Sequence, residues 1–326
     1  MRVFIPAYCY RDSFADNVRV TLRSMGHDVR TLGQIDSSRI WSFFARFRRR
    51  LNEFIPSVRP SWEEYNIKKI GKEYKPDLFL SLTQRIHPEV LFELKKGCGG
   101  RRVLWWGDPP AYSQQWGIVD PEWDFVYLKD RSTVKKLCIA GRNAFLLNEA
   151  MNPVWHKPIS RQINNEIVVA GNYYAYRQAV VLRLMEDGVG MQLYGPPPPR
   201  WADPRIVEHH TGRYVVCEEK SQVFGEGMAC LNTFTLGEGD SLNCRAFEIA
   251  GAGGLQIIEN RPAINECFEP GRDLLVFETY EELMNHIGRA RKYPEEMNVI
   301  RDSGAKRALS DHTYKHRLAV IISNLN

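Results

Sequence analysis

The feature that most constrains the fold is the regular alternation of short apolar runs with amphipathic segments along the chain. A short apolar run is typical of a strand buried on both faces, and apolar residues three and four positions apart are typical of a helix packed on a sheet. The alternation predicts an α/β fold in which helices connect parallel strands. The predicted strands are 2–7, 29–32, 77–82, 102–106, 125–128, 144–147, 167–170, 191–194, 229–234, 255–258 and 274–277.

Helices are predicted between these strands and after the last one, at 13–25, 39–55, 62–74, 88–96, 131–140, 176–186, 221–225, 245–252, 281–290, 294–308 and 313–325. The stretch 151–165 has no periodicity and contains two prolines, so we expect a linker there. The expected architecture is GT-B, with two Rossmann-like domains facing a central cleft and a terminal helix that crosses back to the first domain. The predicted boundaries are 1–157, 158–305 and 306–326.

Composition agrees with a folded protein of two domains. The chain has 326 residues, of which 44% are hydrophobic and 25% charged, and this excludes a disordered or fibrous chain. Its apolar runs all stay below about 18 residues, so we expect a soluble cytoplasmic protein. Its seven cysteines form no C-x-x-C pair, and His312 and His316 do not complete an H-E-x-x-H motif. We therefore expect neither a disulfide framework nor a metal site.

Positive charge is concentrated in the first half. Residues 1–157 contain 26 Lys and Arg against 17 Asp and Glu, a net charge of +9. The segment 39–55 combines an aromatic helix face with Arg46, Arg48, Arg49 and Arg50. Three interpretations stay open: a core helix with a solvated basic edge, an interfacial helix on an anionic membrane, and a contact to DNA or another polyanion.

The most informative stretch is 237–260, which follows a predicted strand and enters a helix near Asn243. Ser241 or Asn243 can cap that helix, and its free backbone N–H groups suit a diphosphate. Arg245 adds a guanidinium in the first turn, unless it only pairs with Glu248. The Glu248 carboxylate can accept two hydrogen bonds from a ribose diol, or lie on the helix surface.

A second group of candidate residues follows the strand 167–170. Gly171, Asn172 and Tyr173 come directly after it, and Arg177 stands in the next helix. We expect these residues close to the diphosphate, although Arg177 as an ordinary exposed helix residue is an alternative. Gly195 ends the next strand and is predicted to line the pocket of the nucleotide base. Lys220 is a weaker candidate for a contact with the donor.

The motifs RAFEIAGAGG, ECFEPGRDLLVF, YEELMNHI and DHTYKHR resemble the C-terminal domain of CgeB-type glycosyltransferases, over roughly 165–320. The resemblance implies that the C-terminal domain binds a nucleotide sugar and that the N-terminal domain binds the acceptor. It implies that Glu248 is the ribose ligand. Asp240 stands eight positions earlier, where many retaining relatives have a glutamate that contacts the donor sugar; a turn aspartate is the alternative. The resemblance also implies that no metal or other cofactor is needed.

Candidate acceptor residues follow two strands of the first half. Tyr8, Arg11 and Asp12 come at the end of the first strand, and Trp106 and Asp108 belong to WWGDPP. Trp106 is predicted to stack on a sugar ring. If the enzyme inverts the configuration of the sugar, Asp108 is the candidate general base that takes the acceptor hydroxyl proton, with a turn-capping aspartate as the alternative.

The sequence therefore predicts a glycosyltransferase that moves a sugar from a nucleotide-diphosphate sugar to an acceptor hydroxyl. The acceptor is left open among a lipid-linked glycan, a polysaccharide and a modified DNA base. Two alternatives remain: a GT-B-like binding module without catalysis, and a nucleotide-sugar epimerase on the same fold.

Overall fold

A computed structural model of the chain describes residues 1–35, 62–109, 116–159 and 162–325. Two compact units are formed, one by Met1–Asn148 with Arg317–Asn326 and the other by Glu149–His316. Residues 149–157, assigned to the first domain from sequence, thus group with the second unit. The predicted basic helix with its four arginines lies outside the described residues, so its role stays a prediction.

The first unit is built on a six-stranded sheet in which every neighbouring pair is parallel, in the order β2-β1-β3-β4-β5-β6. Its strands are β1 (Arg2–Cys9), β2 (Asp28–Gln34), β3 (Leu78–Ser81), β4 (Arg101–Trp106), β5 (Phe125–Leu128) and β6 (Ala144–Leu146). Its helices are α1 (Phe14–Ser24), α2 (Trp62–Tyr74), α3 (Pro88–Cys98) and α4 (Arg131–Ile139), with a 3₁₀ turn at Trp116–Val119. Helices start where local signals place them: the Ser13 hydroxyl caps α1 by accepting the Asp16 N–H.

The second unit is built on a five-stranded parallel sheet in the order β11-β10-β9-β7-β8. Its strands are β7 (Ile167–Ala170), β8 (Met191–Tyr194), β9 (Ala229–Asn232), β10 (Gln256–Glu259) and β11 (Leu275–Phe277). Its helices are α5 (Ala175–Glu186), α6 (Pro204–His209), α7 (Cys217–Glu226), α8 (Cys244–Gly251), α9 (Ile264–Cys267), α10 (Tyr280–Lys292) and α11 (Pro294–Asp311). After β7 the chain first adds β8 on one side and later β9 on the other, so the strand order reverses between β7 and β9.

The last helix, α12 (Tyr314–Ser323), begins in the second unit and continues in the first. Arg317 Nε donates to the Asn148 carbonyl at 3.2 Å, and Asn324 Nδ2 donates to the Tyr127 hydroxyl at 2.8 Å. The predicted return of the terminal helix to the first domain is confirmed, as are the two Rossmann-like parallel sheets.

The stretch predicted as a linker belongs to the second unit in the parts that the structure describes, 151–159 and 162–165. The Met151 N–H donates to the His312 carbonyl, and the Tyr314 N–H donates to the Met151 carbonyl, which makes a parallel bridge between Met151 and Thr313. A Cβ on Gly251 would collide with Met151. Gly251 therefore leaves the space on α8 that this stretch occupies.

A buried arginine on α11 ties the ends of two helices together. Arg301 Nη2 donates to the Gly227 and Met228 carbonyls at 2.7 Å each. Its Nη1 lies 3.3 Å from the carbonyl oxygens of Gly225, at the end of α7, and Gly253, just after α8. The guanidinium thus satisfies carbonyl groups that helix ends leave unpaired.

All eleven predicted strands are present, with ends that differ by at most two residues. The predicted helices in the described ranges are also present, and the short helices α6 and α9 were not predicted. Within those ranges, none of the helices combines the length and the apolar character needed to cross a membrane.

Candidate functional site

The reversal of strand order between β7 and β9 is where ligands bind in open parallel sheets. Gly171 directly follows β7 with a φ of +118°, and a Cβ there would collide with the Arg245 guanidinium. Gly195 directly follows β8 with a φ of +135°, and a Cβ there would collide with the Gly171 carbonyl. Only glycine fits both positions, so the backbone itself forms the floor of the site.

Arg177 joins the two strands at this point. Its Nη1 donates to the Asn172 carbonyl at 2.6 Å, and its Nε and Nη2 donate to the hydroxyl and carbonyl of Thr233 at 3.0 and 2.7 Å. The residue is 3% exposed, so the alternative of an ordinary surface arginine is wrong. Burial, and then the nearby charge of Arg245, lower the pKa of Arg177 to about 9, which leaves it charged at pH 7.

Arg245 lies at the amino end of α8, opposite Arg177 across Gly171. Its Nη1 approaches Asn232 Oδ1 at 3.3 Å. In the described part of the chain neither of the two guanidinium groups is paired with a carboxylate, since their bonds go to amide, hydroxyl and carbonyl oxygens. Two adjacent cations without a counter-ion, beside the positive end of a helix, favour an anion.

Asn243 caps α8, as predicted from the sequence. Its Oδ1 accepts the Ala246 N–H at 3.1 Å and the Asn232 amide at 3.1 Å, and its Nδ2 donates to Asn232 Oδ1. The Asn232 amide also donates to Gln256 Oε1 at 3.0 Å. This network fixes the first turn of α8 against the ends of β9 and β10.

Glu248 lies one turn further along α8 and is buried. Lys220 Nζ on α7 donates to Glu248 Oε1 at 3.0 Å, and His156 Nε2 lies 3.9 Å from the same oxygen. The partner of Glu248 is therefore Lys220 and not Arg245, and the surface-carboxylate alternative is wrong.

Asp240 is exposed in the loop between β9 and α8. Its carbonyl accepts the Ala263 N–H at 3.2 Å. The neighbouring Ser241 hydroxyl donates to Glu238 Oε1 at 2.6 Å, so Ser241 does not cap the helix. The Asp240 carboxylate is accessible to a ligand.

The side chain of Tyr173 does not face a ligand. Its hydroxyl donates toward the Val169 and Tyr194 carbonyls at 3.1 and 3.0 Å, and it belongs to the core of the second unit. Burial raises its pKa well above the usual range of a tyrosine. The prediction that Tyr173 contacts the donor is wrong for its side chain, whereas Asn172 contributes the carbonyl that Arg177 binds.

The aromatic pair of the first unit belongs to the core. Trp105 is fully buried against Phe14, and Trp106 is buried on the other face of β4, because successive strand residues point to opposite faces. The prediction that Trp106 stacks on a sugar ring is wrong. Its indole N–H donates to Asp108 Oδ2 at 3.3 Å, and Asp108 itself is exposed at the carboxyl end of β4.

The other acceptor candidates lie at the carboxyl end of β1. Arg11 is exposed, and the Tyr8 ring is half-buried beside Gly33. Asp12 has a φ of +62°, and its carboxylate accepts the Asn17 amide at 3.1 Å. Aspartate is among the few residue types that adopt this conformation readily.

Sequence reasoning missed Thr233 and Asn232, the partners of Arg177 and Arg245. Both are buried, and both stand at the end of the run ACLNTF. Polar residues that close an apolar strand run are a usable signal, since carboxyl ends of parallel strands line ligand sites.

Comparisons with known proteins agree with this geometry. Residues 177–323 match the model of a family described as glycosyl transferase-like. The fold is similar to HepE from Anabaena in complex with UDP-glucose, at 12% identity and a TM-score of 0.67 over 99% of this chain and 100% of that one. It is also similar to sucrose-phosphate synthase from Thermosynechococcus elongatus, at 11% identity and a TM-score of 0.65 over 99% and 98%. A glycosyltransferase from Rickettsia africae gives 8% identity and a TM-score of 0.63 over 99% and 97%. No curated protein matches the chain.

The fold and the partial family match agree with each other. Two parallel sheets with alternating helices are those of the GT-B fold, and the match of residues 177–323 to a glycosyl transferase-like family supports glycosyl transfer.

Proposed function

We propose that the protein transfers a sugar from a nucleoside-diphosphate sugar held by its second unit, at the reversal of strand order between β7 and β9. The observation that carries the proposal is the convergence of Arg177 and Arg245 on Gly171, at the amino end of α8. On its C-terminal motifs we assign the chain to the CgeB-type branch of the superfamily.

The two arginines and the amino end of α8 bind the diphosphate. Because negative charge accumulates on the leaving nucleoside diphosphate as the sugar departs, fixed cations at this point stabilise the transition state more than the ground state. The same groups do the work of a divalent cation, so transfer proceeds without a metal. UDP-glucose, present in the HepE complex, is the first donor to test.

Glu248 binds the ribose hydroxyls, and Gly195 leaves room for the base. Asp240, exposed in the β9–α8 loop, contacts the donor sugar. On the acceptor side, Asp108 is the general base, with Tyr8, Arg11 and Asp12 as the acceptor contacts. The acceptor is a glycan or another hydroxyl-bearing polymer.

The test is calorimetric titration of UDP, GDP and ADP into the wild type and into Arg245→Ala. We expect the preferred nucleotide to lose about ten- to a hundredfold in affinity, the worth of one charge-assisted hydrogen bond. Arg291→Ala, at an exposed position on α10, is the matched control and should bind as the wild type does. Unchanged affinity in Arg245→Ala would contradict the proposal.

Mass spectrometry of the donor separates the remaining alternatives. A glycosyltransferase releases the nucleoside diphosphate, by transfer or slow hydrolysis, and does so equally in EDTA. An epimerase would produce an isomer of the donor with no nucleoside diphosphate, and a binding module would leave the donor intact.

A further inference from the structure

We propose that Lys220 is a positioning residue for the donor: its ammonium holds one carboxylate oxygen of Glu248 so that the other oxygen receives the ribose. The inference rests on the proposed function, because Glu248 is a ribose ligand only if a nucleotide binds here. Lys220 belongs to α7, whereas the groups proposed to bind the diphosphate belong to α5 and α8.

The two side chains form a short, largely buried ion pair. They are 15% and 7% exposed, and Lys220 Nζ lies 3.0 Å from Glu248 Oε1. A buried polar group needs a partner, and the ammonium supplies one for this oxygen. The hydrogen bond fixes the rotamer of Glu248, so its other oxygen has a defined position.

A second group is directed to the same oxygen. His156 is fully buried, and its Nδ1 accepts the Asn152 N–H at 3.0 Å, so the ring proton is on Nε2. That nitrogen lies 3.9 Å from Glu248 Oε1, beyond hydrogen-bond distance but close enough to attract it. The Lys220 ammonium and the His156 Nε2–H thus both lie on the side of Oε1, and we assign Oε2 to the ligand.

Lys220 itself is held in place by the packing of α7. The helix starts at Cys217 with a φ of +52°, a strained conformation for a side chain of this kind. The Ser221 hydroxyl, next to Lys220, donates to the Trp155 carbonyl at 2.9 Å. The ammonium therefore reaches Glu248 from a fixed helix, and the carboxylate is an ordered acceptor.

A carboxylate held in one position discriminates between ribose and deoxyribose. A ribose hydroxyl completes the hydrogen bonding of Glu248, whereas a deoxyribose leaves a buried carboxylate oxygen without a partner. We therefore expect the wild type to bind a ribonucleoside diphosphate at least about tenfold more tightly than one of its deoxy analogues. This discrimination should depend on Lys220.

The experiment compares UDP, 2′-deoxy-UDP and 3′-deoxy-UDP by calorimetry, with the GDP or ADP series instead if the wild type prefers that base. In Lys220→Met the preference for the ribonucleotide should fall to about threefold or less, while the affinity for the deoxy analogue changes little. Lys220→Arg keeps the charge and should restore the preference. Lys306→Met, at an exposed position on α11, is the control and should discriminate as the wild type does.

A general loss of stability is separated from positioning by a double variant. Glu248→Gln removes the buried charge, so Lys220→Met added to it should not reduce the preference further, and thermal unfolding checks that each variant is folded. If Lys220→Met preferred the ribonucleotide over its deoxy analogues as strongly as the wild type does, the role of Lys220 would be overturned and the proposed function would stand. A wild type that binds none of UDP, GDP and ADP would overturn the proposed function and this proposal with it.

Discussion

Gly171 combines a φ of +118° with the close approach of the Arg177 and Arg245 guanidinium groups. A larger residue there has to adopt a strained backbone and also displace a cation. Gly188, which follows α5, has a φ of +73° and open space around its Cα, so a Cβ there meets no atom within 4 Å. The two glycines separate the effect of backbone strain from the effect on the site.

We expect Gly171→Ala to weaken binding of the preferred nucleotide about tenfold or more, because the Arg245 guanidinium has to move. Gly188→Ala should cost about 1 kcal/mol of stability through strain alone and leave the affinity unchanged. Calorimetry and urea unfolding of both variants measure the two effects. Equal affinities in the two variants would show that Gly171 matters only for folding.

At this scale, sequence reasoning found the residue types of the site but not their partners. Arg245 and Asn243 were recognised because local signals determine the start of a helix. The bond between Arg177 and Thr233 spans 56 positions, and no local pattern encodes it. For Trp106, the local pattern correctly predicted a position at the end of a strand. The predicted exposure of its ring was wrong, because helices cover both faces of a parallel sheet and bury it.

Helices α7, α8 and α11 are linked by the buried Arg301 guanidinium. It binds carbonyl oxygens at the end of α7, which carries Lys220, and just after α8, which carries Glu248. The relative placement of the two helices that hold the buried ion pair therefore depends on one side chain of a third helix.

Arg301→Met should destabilise the second unit by about 3 kcal/mol or more, since it leaves several buried carbonyl groups without a donor. Arg291→Met, at an exposed position, should change stability by less than about 0.5 kcal/mol. Urea unfolding monitored by circular dichroism provides both values. A loss below 1 kcal/mol in Arg301→Met would mean that water replaces the guanidinium.

Elements were predictable where burial imposes a pattern. Strands buried on both faces are continuous apolar runs, so all eleven were found from sequence. The helix α6 (Pro204–His209) carries a valid start, with Asp203 capping and Pro204 in the first turn, but six residues are too few to show a period. The stretch 151–159 was mistaken for a linker because it has no period, although hydrogen bonds hold it: the Asn152 N–H donates to His156 Nδ1, and the Trp155 carbonyl accepts the Ser221 hydroxyl of α7.

At the scale of the whole molecule, α12 returns the chain to the unit in which it began. Leu318 and Ile321 are fully buried, and Asn324 bonds Tyr127 of β5. The segment after His316 thus supports the first sheet and not the second unit, which contains Arg177 and Arg245.

Deletion of residues 317–326 should accordingly increase hydrogen exchange in β5 and β6 and leave β7 and β9 protected, with nucleotide affinity within about twofold of the full chain. Hydrogen–deuterium exchange with mass spectrometry reports each strand separately. If the deletion instead increased exchange in β7 and β9 and left β5 unchanged, the segment would support the second unit, and this prediction would be wrong.

The bridge between Met151 and Thr313 places the first residues of the second unit beside its last residues. All six strands of the first sheet therefore precede the second unit in the chain, and only residues 317–326 of the first unit are synthesised after it. Glu149–His316 is one continuous segment of the chain, whereas the first unit is built from two segments. We expect that an exchange of this segment between relatives changes the donor preference.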